Sequence, residues 1–289
     1  KKGLGTPATR AGIIEKLVQS GFAERKGKSL IPTKDGCNLV CVLPEQITSP
    51  AMTAEWENTL MEIERGKAEK GEELTGNLRM EYVFEGGRGG LKSSFVSLKI
   101  LELIKNNPQM HACITRQVAG TLKDSVYAQM KWSINELGLM DEFNCKVSPL
   151  EIIYTKTGQT IYFRGLDDET KLKSIKPPFG YIGILWKEEK DQMKGDAQER
   201  SVNQSVLRGG NESYDFSSYN PPKSKSNWVH RIKLLPNPKR VIHHSCYTDA
   251  PPEWLGQKFI DDAEHLKEVN PDAYEHEYLG VPNGDGGNV

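Results

Sequence analysis

The sequence predicts an α/β domain with a mainly parallel sheet over residues 81–289, preceded by a smaller α+β segment. From residue 82 onward, short apolar runs typical of buried strands alternate with longer stretches of helical periodicity. The predicted strands are EYVFEGG, HACITRQ, TGQTIYFRGL, YIGILWKEE and RVIHHSCY. The predicted helices are SSFVSLKILELIKNN, SVYAQMKWSINELGL and a long closing stretch from WLGQKF to EYLG. Strands that alternate with helices in this way favour parallel pairing.

Residues 1–66 form a separate pattern. ATRAGIIEKLVQSG predicts a helix that begins at a Thr9 cap and ends at Gly21, and FAERKGKSLIPT predicts a hairpin that turns at KGK. Further helices are predicted in NLVCVLP and MTAEWENTLMEIERG. This order is typical of a winged-helix-like element. Residues 67–80 are highly charged without an apolar period, so we interpret them as a linker to the domain at 81–289.

Bulk properties narrow the classes of function. The formal net charge is −1, which excludes a basic field over the whole chain, although basic residues along a channel remain compatible with it. The sequence contains no apolar run of membrane-spanning length, so we expect a cytoplasmic protein without a membrane partner. The five cysteines form no CxxC pair and predict thiols rather than a metal site.

A glycine-rich loop, GGRGGLKSS, lies between the first predicted strand and helix of the α/β domain. This strand–loop–helix order predicts a P-loop NTPase fold, in which glycines let the backbone approach phosphate and the helix N-terminus faces it. Lys92 would reach the β- and γ-phosphates of ATP, and Ser93 would place its hydroxyl on Mg²⁺. The predicted nucleotide-binding residues are Gly86, Gly87, Arg88, Gly89, Gly90, Lys92, Ser93 and Ser94.

The loop departs from the common P-loop pattern at one position. Glycine usually stands directly before the lysine, and here that residue is Leu91. A glycine-rich turn with an incidental lysine is therefore the alternative interpretation of this segment.

An apolar strand that ends in two carboxylates, YIGILWKEEKDQ, supplies the second part of an ATPase site. In such sites one carboxylate binds Mg²⁺ and another polarises the attacking water. By position, we assign Glu188 to the metal and Glu189 to the water as the catalytic residue. The alternative is a solvated charge run at the end of a strand.

The ensemble of motifs resembles the large terminase subunit of tailed phages over about residues 82–289. Besides the two motifs above, the resemblance rests on ITRQVAGTLKDSVYAQM, IYFRGLDDETKLKSI, SVLRGG, SSYNPP and YTDAPPEWL with NPDAYEHEYLG. It implies a phage- or prophage-encoded ATPase in the bacterial cytoplasm that drives double-stranded DNA into a procapsid. The implied partners are a portal protein, a small terminase subunit and further copies of the chain.

The resemblance also implies roles for individual residues. Arg88 would act on the phosphates in cis as a second catalytic residue, although a surface arginine is the alternative. Ser218, Tyr219 and Asn220 would sense the γ-phosphate and couple hydrolysis to movement. Arg116 follows a strand and has either a site role or a simple pairing with an acidic residue. The nuclease domain of the family would begin about where GDGGNV ends, so we predict no nuclease activity from these residues.

The N-terminal segment resembles a different family. GLGTPATRAGIIEKLVQSG and MTAEWE are similar to type IA topoisomerases, closely topoisomerase III. The resemblance implies that Thr6, Thr9 and Arg10 contact a DNA backbone, while a helix cap is the alternative role for Thr9. The catalytic tyrosine and the acidic metal-binding domain of that family lie upstream of this region, so we predict no topoisomerase activity.

Two hypotheses of function follow. The first is an ATP-driven packaging motor that carries the topoisomerase-like segment, either as an orphan fragment from a genome rearrangement, a prophage insertion or a gene-model error, or as a genuine fusion that adds a DNA contact. The alternative is a non-catalytic DNA-binding fragment of a type IA topoisomerase fused to a degenerate ATPase. Leu91 and the missing terminal domains favour the alternative.

Overall fold

The computed structural model describes residues 14–27, 29–37, 78–168 and 170–284. The chain divides into two compact units, residues 1–73 and 74–289, which are described separately.

The first unit contains a hairpin between two helical segments. Residues 14–19 and 34–37 are helical, and between them β1 (Ala23–Lys26) pairs antiparallel with β2 (Ser29–Pro32). The predicted hairpin is confirmed. A hydrogen bond stabilises the base of the hairpin, since the Thr33 hydroxyl donates to the Gly21 carbonyl at 2.6 Å. The predicted helices from residue 38 to 66, as well as Thr6, Thr9 and Arg10, lie outside the described residues.

The second unit is built on one sheet of eight strands in the order β10-β3-β9-β8-β4-β7-β6-β5. The strands are β3 (Leu78–Glu85), β4 (Met110–Arg116), β5 (Phe143–Val147), β6 (Leu150–Tyr154), β7 (Thr160–Gly165), β8 (Tyr181–Glu188), β9 (Glu212–Tyr219) and β10 (Arg240–His244). All neighbours from β10 to β7 are parallel, whereas β6 and β5 continue the sheet antiparallel. The predicted α/β class with a mainly parallel sheet is confirmed.

Helices connect the strands and close the unit. They are α1 (Lys92–Asn106), α2 (Ala128–Glu136), α3 (Thr170–Lys173), α4 (Asp196–Val206), α5 (Trp228–Lys233), α6 (Pro252–Leu255), α7 (Gln257–Val269) and α8 (Pro271–Glu277). The long closing stretch is thus three helices, since Gly256 has a φ of 79° and Pro271 starts a new helix that Asn270 caps. Among the described helices, none has the length and apolar character needed to cross a bilayer.

Sequence reasoning missed three strands, β5, β6 and β9. The β9 sequence, ESYDFSSY, has few apolar residues, yet Asp215, Ser217 and Ser218 are buried in the sheet. A polar strand is stable there because partners are available: Asp215 Oδ1 lies 2.8 Å from Lys187 Nζ of β8. As a result, β9 separates β3 from β8 in the sheet.

The core lies on both faces of the sheet. On one face, Ile100 and Ile104 of α1 pack in a cluster with Ile114, Ile184 and Trp186 from the strands. The other face carries a second cluster, with Leu185 of β8 and Val202 and Val206 of α4 among its members. Successive residues of β8 thus enter opposite layers, as the pleat of a strand requires.

The residue before α1, Leu91, has a left-handed backbone with φ 53° and ψ 16°. Glycine adopts this conformation without steric cost, which is the physical reason that glycine is common at this position. Leucine tolerates it with a modest penalty, so the loop keeps its course despite the substitution.

We expect Ile100→Ala to lower the free energy of unfolding by about 2–5 kcal/mol, because it removes a fully buried side chain and leaves a cavity. Urea unfolding monitored by circular dichroism measures this change. Lys99→Ala, on the neighbouring solvent-facing position, should stay within about 0.5 kcal/mol of wild type. Equal losses in the two variants would contradict the assigned face of α1.

Leu91→Val should lower the free energy of unfolding by about 1–2 kcal/mol, because a β-branched side chain fits a left-handed backbone poorly. Leu91→Gly should not show this loss, since glycine removes the steric conflict. The same urea titrations compare the two variants. A Val variant as stable as the Gly variant would show that residue 91 is not left-handed.

Candidate nucleotide-binding site

Four parallel strands bring their carboxyl ends to one edge of the sheet. The glycine-rich loop follows β3, and β9 ends at Tyr219, which pairs in register with Glu85. β8 ends at Glu188, which pairs with Ser218, and β4 ends at Arg116. Ligands bind at this edge in open α/β sheets, and the predicted loop, carboxylates and coupling segment all meet there.

The glycine-rich loop is packed too closely for side chains at its start. A Cβ on Gly86, whose φ is 139°, would lie 1.7 Å from the carbonyl oxygen of Ser245, and one on Gly87 would lie 1.8 Å from that of Tyr278. Ser245 also fixes both ends of the loop: its N–H donates to the Glu85 carbonyl at 2.9 Å, and its hydroxyl donates to the Gly90 carbonyl at 2.8 Å. The loop is therefore a rigid backbone surface beside the N-terminus of α1.

Lys92 folds back into this loop. Its Nζ donates to the carbonyl oxygens of Gly86 at 3.0 Å and Gly87 at 2.7 Å. Burial of the ammonium group lowers the pKa of Lys92 to about 8. Phosphate oxygens could replace these two carbonyl oxygens as the acceptors of Lys92. The negative charge of the phosphate would then stabilise the ammonium group.

Ser93 and Glu188 converge from α1 and β8. The Ser93 hydroxyl donates to Glu188 Oε1 at 3.4 Å, and burial raises the pKa of Glu188. A hydroxyl and a carboxylate are oxygen ligands of the kind Mg²⁺ prefers, and Mg²⁺ commonly takes only one or two protein ligands beside phosphate and water. Among the described residues, no group of three or more His, Cys, Asp or Glu side chains is arranged to hold a metal ion.

Arg116 contacts Glu188 at the end of β8 and Glu189 directly after it. Its Nε lies 2.8 Å from Glu188 Oε2, and its terminal amine forms an ion pair with Glu189. Glu189, directly after β8, has a left-handed φ of 53°, so the strand does not continue through it and both carboxylates reach Arg116 instead of alternating to opposite faces. Arg116 thus pairs with both acidic residues that the sequence analysis singled out.

Arg88 lies on the outer side of the loop. Its backbone N–H donates to the Glu277 carbonyl at 2.9 Å, and its exposed guanidinium lies 3.6 Å from the Glu277 carboxylate on α8. Among the described residues, it has no ion pair with Glu188 or Glu189 in this conformation.

The residues predicted to couple hydrolysis to movement, Ser218 to Asn220, lie at the end of β9 and directly after it. The Ser218 hydroxyl accepts from Trp186 Nε1 at 2.8 Å, and the Tyr219 hydroxyl donates to Glu85 Oε2 at 2.8 Å. Burial, with the adjacent charge of Glu85, raises the pKa of Tyr219, which keeps it a hydrogen-bond donor. Asn220 is exposed directly after the strand.

Sequence reasoning missed several residues around the site. Glu85 is a buried carboxylate that pairs with Lys233 as well as with Tyr219, and its only sequence signal was its place directly before the glycines. The fully buried lysines Lys187 and Lys190 were passed over as part of a charge run. Their signal was an acidic pair enclosed by lysines at the end of an apolar strand.

The chain matches known families in two separate regions. Residues 79–281 match the family described as phage terminase large subunit, and residues 1–75 match the family described as DNA topoisomerase. In the second region the chain is 52% identical over 65 residues to DNA topoisomerase 3 of Bacillus subtilis, which is 22% of this chain and 9% of that protein. Both resemblances inferred from the sequence are confirmed.

Terminase relatives cover most of the chain. It is 36% identical over 214 residues to the terminase large subunit of Bacillus phage SPP1, which is 72% of this chain and 50% of that protein. The solved large terminase of a thermophilic bacteriophage has the same fold, with a TM-score of 0.56, 12% identity and coverage of 77% of this chain and 52% of that one. That thermophilic phage protein has also been solved in complex with ATP-gamma-S. The chain spans about half the length of these relatives, and it belongs to the phage terminase large subunit family.

Proposed function

We propose that residues 81–289 form the ATP-hydrolysing motor domain of a phage terminase large subunit, which drives double-stranded DNA into a procapsid. The observation that carries the proposal is the convergence of Lys92, Ser93, Glu188 and Glu189 at one edge of the sheet. The 36% identity to the SPP1 terminase large subunit supports it independently.

Nucleotide binding would use the loop and the start of α1. The free N–H groups of the first helical turn and the loop backbone face the phosphates, and the helix dipole adds partial positive charge. Lys92 exchanges its two carbonyl acceptors for phosphate oxygens. The loop backbone can approach the phosphates because four of its residues are glycines: Gly86, Gly87, Gly89 and Gly90. The other proposed nucleotide-binding residues are Arg88, Ser93 and Ser94.

Hydrolysis requires a water aligned with the γ-phosphate. We assign this role to Glu189, whose carboxylate accepts a hydrogen bond from the water, while Arg116 keeps the carboxylate in place. Ser93 and Glu188 would hold Mg²⁺, which when bound neutralises the charge that develops on the phosphate oxygens.

Arg88 requires a local rearrangement to act on the phosphates. Its ion pair with Glu277 is solvent-exposed, and such pairs contribute only about 0–1 kcal/mol. The arginine can therefore leave α8 at little cost when a phosphate offers a full charge. We propose that it then contributes to catalysis in cis.

Coupling to movement would pass through the end of β9. Ser218 and Tyr219 lie between the phosphate loop and Glu188, and Asn220 follows them directly, so these residues are placed to respond to a change at the γ-phosphate. The Tyr219–Glu85 hydrogen bond extends this contact to the residue that precedes the loop.

The remaining assignments belong to the same proposal. We infer double-stranded DNA, a portal protein, a small terminase subunit and further copies of the chain as partners in the bacterial cytoplasm. Residues 1–66 would be a topoisomerase-like segment in which Thr6, Thr9 and Arg10 contact DNA, and residues 67–80 would be the junction. Since Leu91 adopts the left-handed conformation that the loop needs, its departure from glycine gives the degenerate-ATPase alternative little support.

Lys92→Ala and Glu189→Gln should each lower the Mg²⁺-dependent ATPase rate by about 10²-fold or more, because they remove the phosphate contact and the water-aligning carboxylate. Phosphate release from the full chain measures the effect. Lys99→Ala, an exposed lysine of the same helix, is the matched control and should retain the wild-type rate. If wild type is no faster than Lys92→Ala, the motor assignment fails.

ATP affinity should fall as pH rises through about 8, the pKa of Lys92 in the free protein. The lysine carries its charge below that pH and loses it above, so each further pH unit weakens ATP binding by up to about tenfold. Equilibrium titration of a fluorescent ATP analogue from pH 7 to 9 tests this. Lys92→Ala should bind weakly with a flat profile, and a parallel fall in both proteins would assign the effect to another group.

A further inference from the structure

Two buried lysines enclose the acidic pair at the end of β8. Lys187 directly precedes Glu188, and Lys190 directly follows Glu189, with 0% and 1% of their surfaces exposed. An ammonium group withdrawn from water is tolerated only where a carboxylate compensates its charge. The positions of both lysines are therefore dictated by the carboxylates that they meet.

A single carboxylate oxygen meets both lysines. Oε1 of Glu199 on α4 lies 2.6 Å from Lys187 Nζ and 2.7 Å from Lys190 Nζ. One side chain of α4 thus holds the chain at two points on either side of the acidic pair. Between these points, the backbone leaves the strand at Glu189 and enters a 3-10 turn at Lys190–Gln192.

The two lysines differ in how much they depend on Glu199. Lys187 has a second carboxylate, Asp215 of β9, at 2.8 Å. For Lys190 the other carboxylate is Glu81 at 3.8 Å, and its ammonium otherwise lies 5.6 Å from the centre of the Trp228 ring. Without Glu199, Lys187 would keep its ion pair with Asp215. Lys190 would lose its close carboxylate, so the turn after Glu189 would lose this contact with α4.

We propose that Glu199 is a positioning residue for ATP hydrolysis, which fixes the turn carrying Glu189 by binding the lysines on both sides of it. Arg116 of β4 acts on the same turn, since it binds the side chains of the two glutamates, whereas Glu199 binds the side chains of the lysines that flank them. The inference rests on the proposed function, because it assumes that Glu189 aligns the attacking water.

Two variants test the role in the full chain. Glu199→Gln leaves Lys190 without a close carboxylate, whereas Glu199→Gln with Lys190→Met removes one charge of each sign and leaves no ammonium unpaired. In both, kcat should fall by roughly 10- to 100-fold. The KM for ATP should change less than about threefold, since the phosphate loop is untouched. Arg200→Gln, an exposed residue next to Glu199 on α4, is the matched control and should keep the wild-type kcat.

Hydrogen exchange gives a readout that does not depend on turnover. In Glu199→Gln, the amides of residues 188–192 should exchange faster than in wild type, while those of residues 86–94 should not change. Faster exchange throughout the second unit would show a general loss of stability and would overturn the positioning role.

The remaining outcomes are decisive. A wild-type kcat in the double variant, its failure to fold, or a fall in kcat matched by an equal loss of ATP-binding sites would each reduce Glu199 to a structural residue. These results would leave the motor assignment intact, provided that wild type is faster than Lys92→Ala. If wild type is not faster than Lys92→Ala, both the proposed function and this inference fail.

Discussion

The site depends on a buried ion pair inside the sheet. Asp215 of β9 and Lys187 of β8 have no exposed surface, and their contact allows the polar segment ESYDFSSY to run as a central strand. Burying two charges costs a large desolvation free energy, which their attraction offsets only when the contact geometry is good. Glu199 provides Lys187 with a further carboxylate partner. With β9 in this position, Ser218 and Tyr219 lie between the glycine-rich loop and the acidic pair.

Packing from the C-terminal helices completes the other side of the site. The Tyr278 carbonyl and Ser245 approach Gly87 and Gly86 so closely that only glycine fits there. The loop therefore has two sets of neighbours: strand ends that carry charge, and the residues around α6 to α8 that exclude side chains. A nucleotide would enter a surface whose backbone is already ordered, which limits the conformational entropy lost on binding.

Much of the site is organised by ion pairs and hydrogen bonds between buried or partly buried side chains. Arg116 forms ion pairs with Glu188 and Glu189, and Glu199 forms ion pairs with the two lysines beside them. Glu85 accepts a hydrogen bond from Tyr219 and forms an ion pair with Lys233. In a medium less polar than water, each of these contacts is strong and orientation-dependent. The arrangement favours one geometry of the strand ends rather than stability alone, since an apolar core of equal volume would serve stability as well.

Sequence by itself determined the α/β class, the glycine-rich loop and the acidic strand end, because apolar runs, glycines and a lysine at fixed spacing reflect local backbone requirements. The family of each region followed from the resemblance of its motifs to known families. Only the tertiary structure decided the strand order, the place of β9, the direction of Arg88 and the partners of Arg116, Lys187 and Lys190. The physical reason is that buried charges are compensated by residues distant in the chain. Lys187 is 28 positions from Asp215 in the sequence. A local sequence pattern therefore does not predict which carboxylate will pair with a given lysine when the sheet forms.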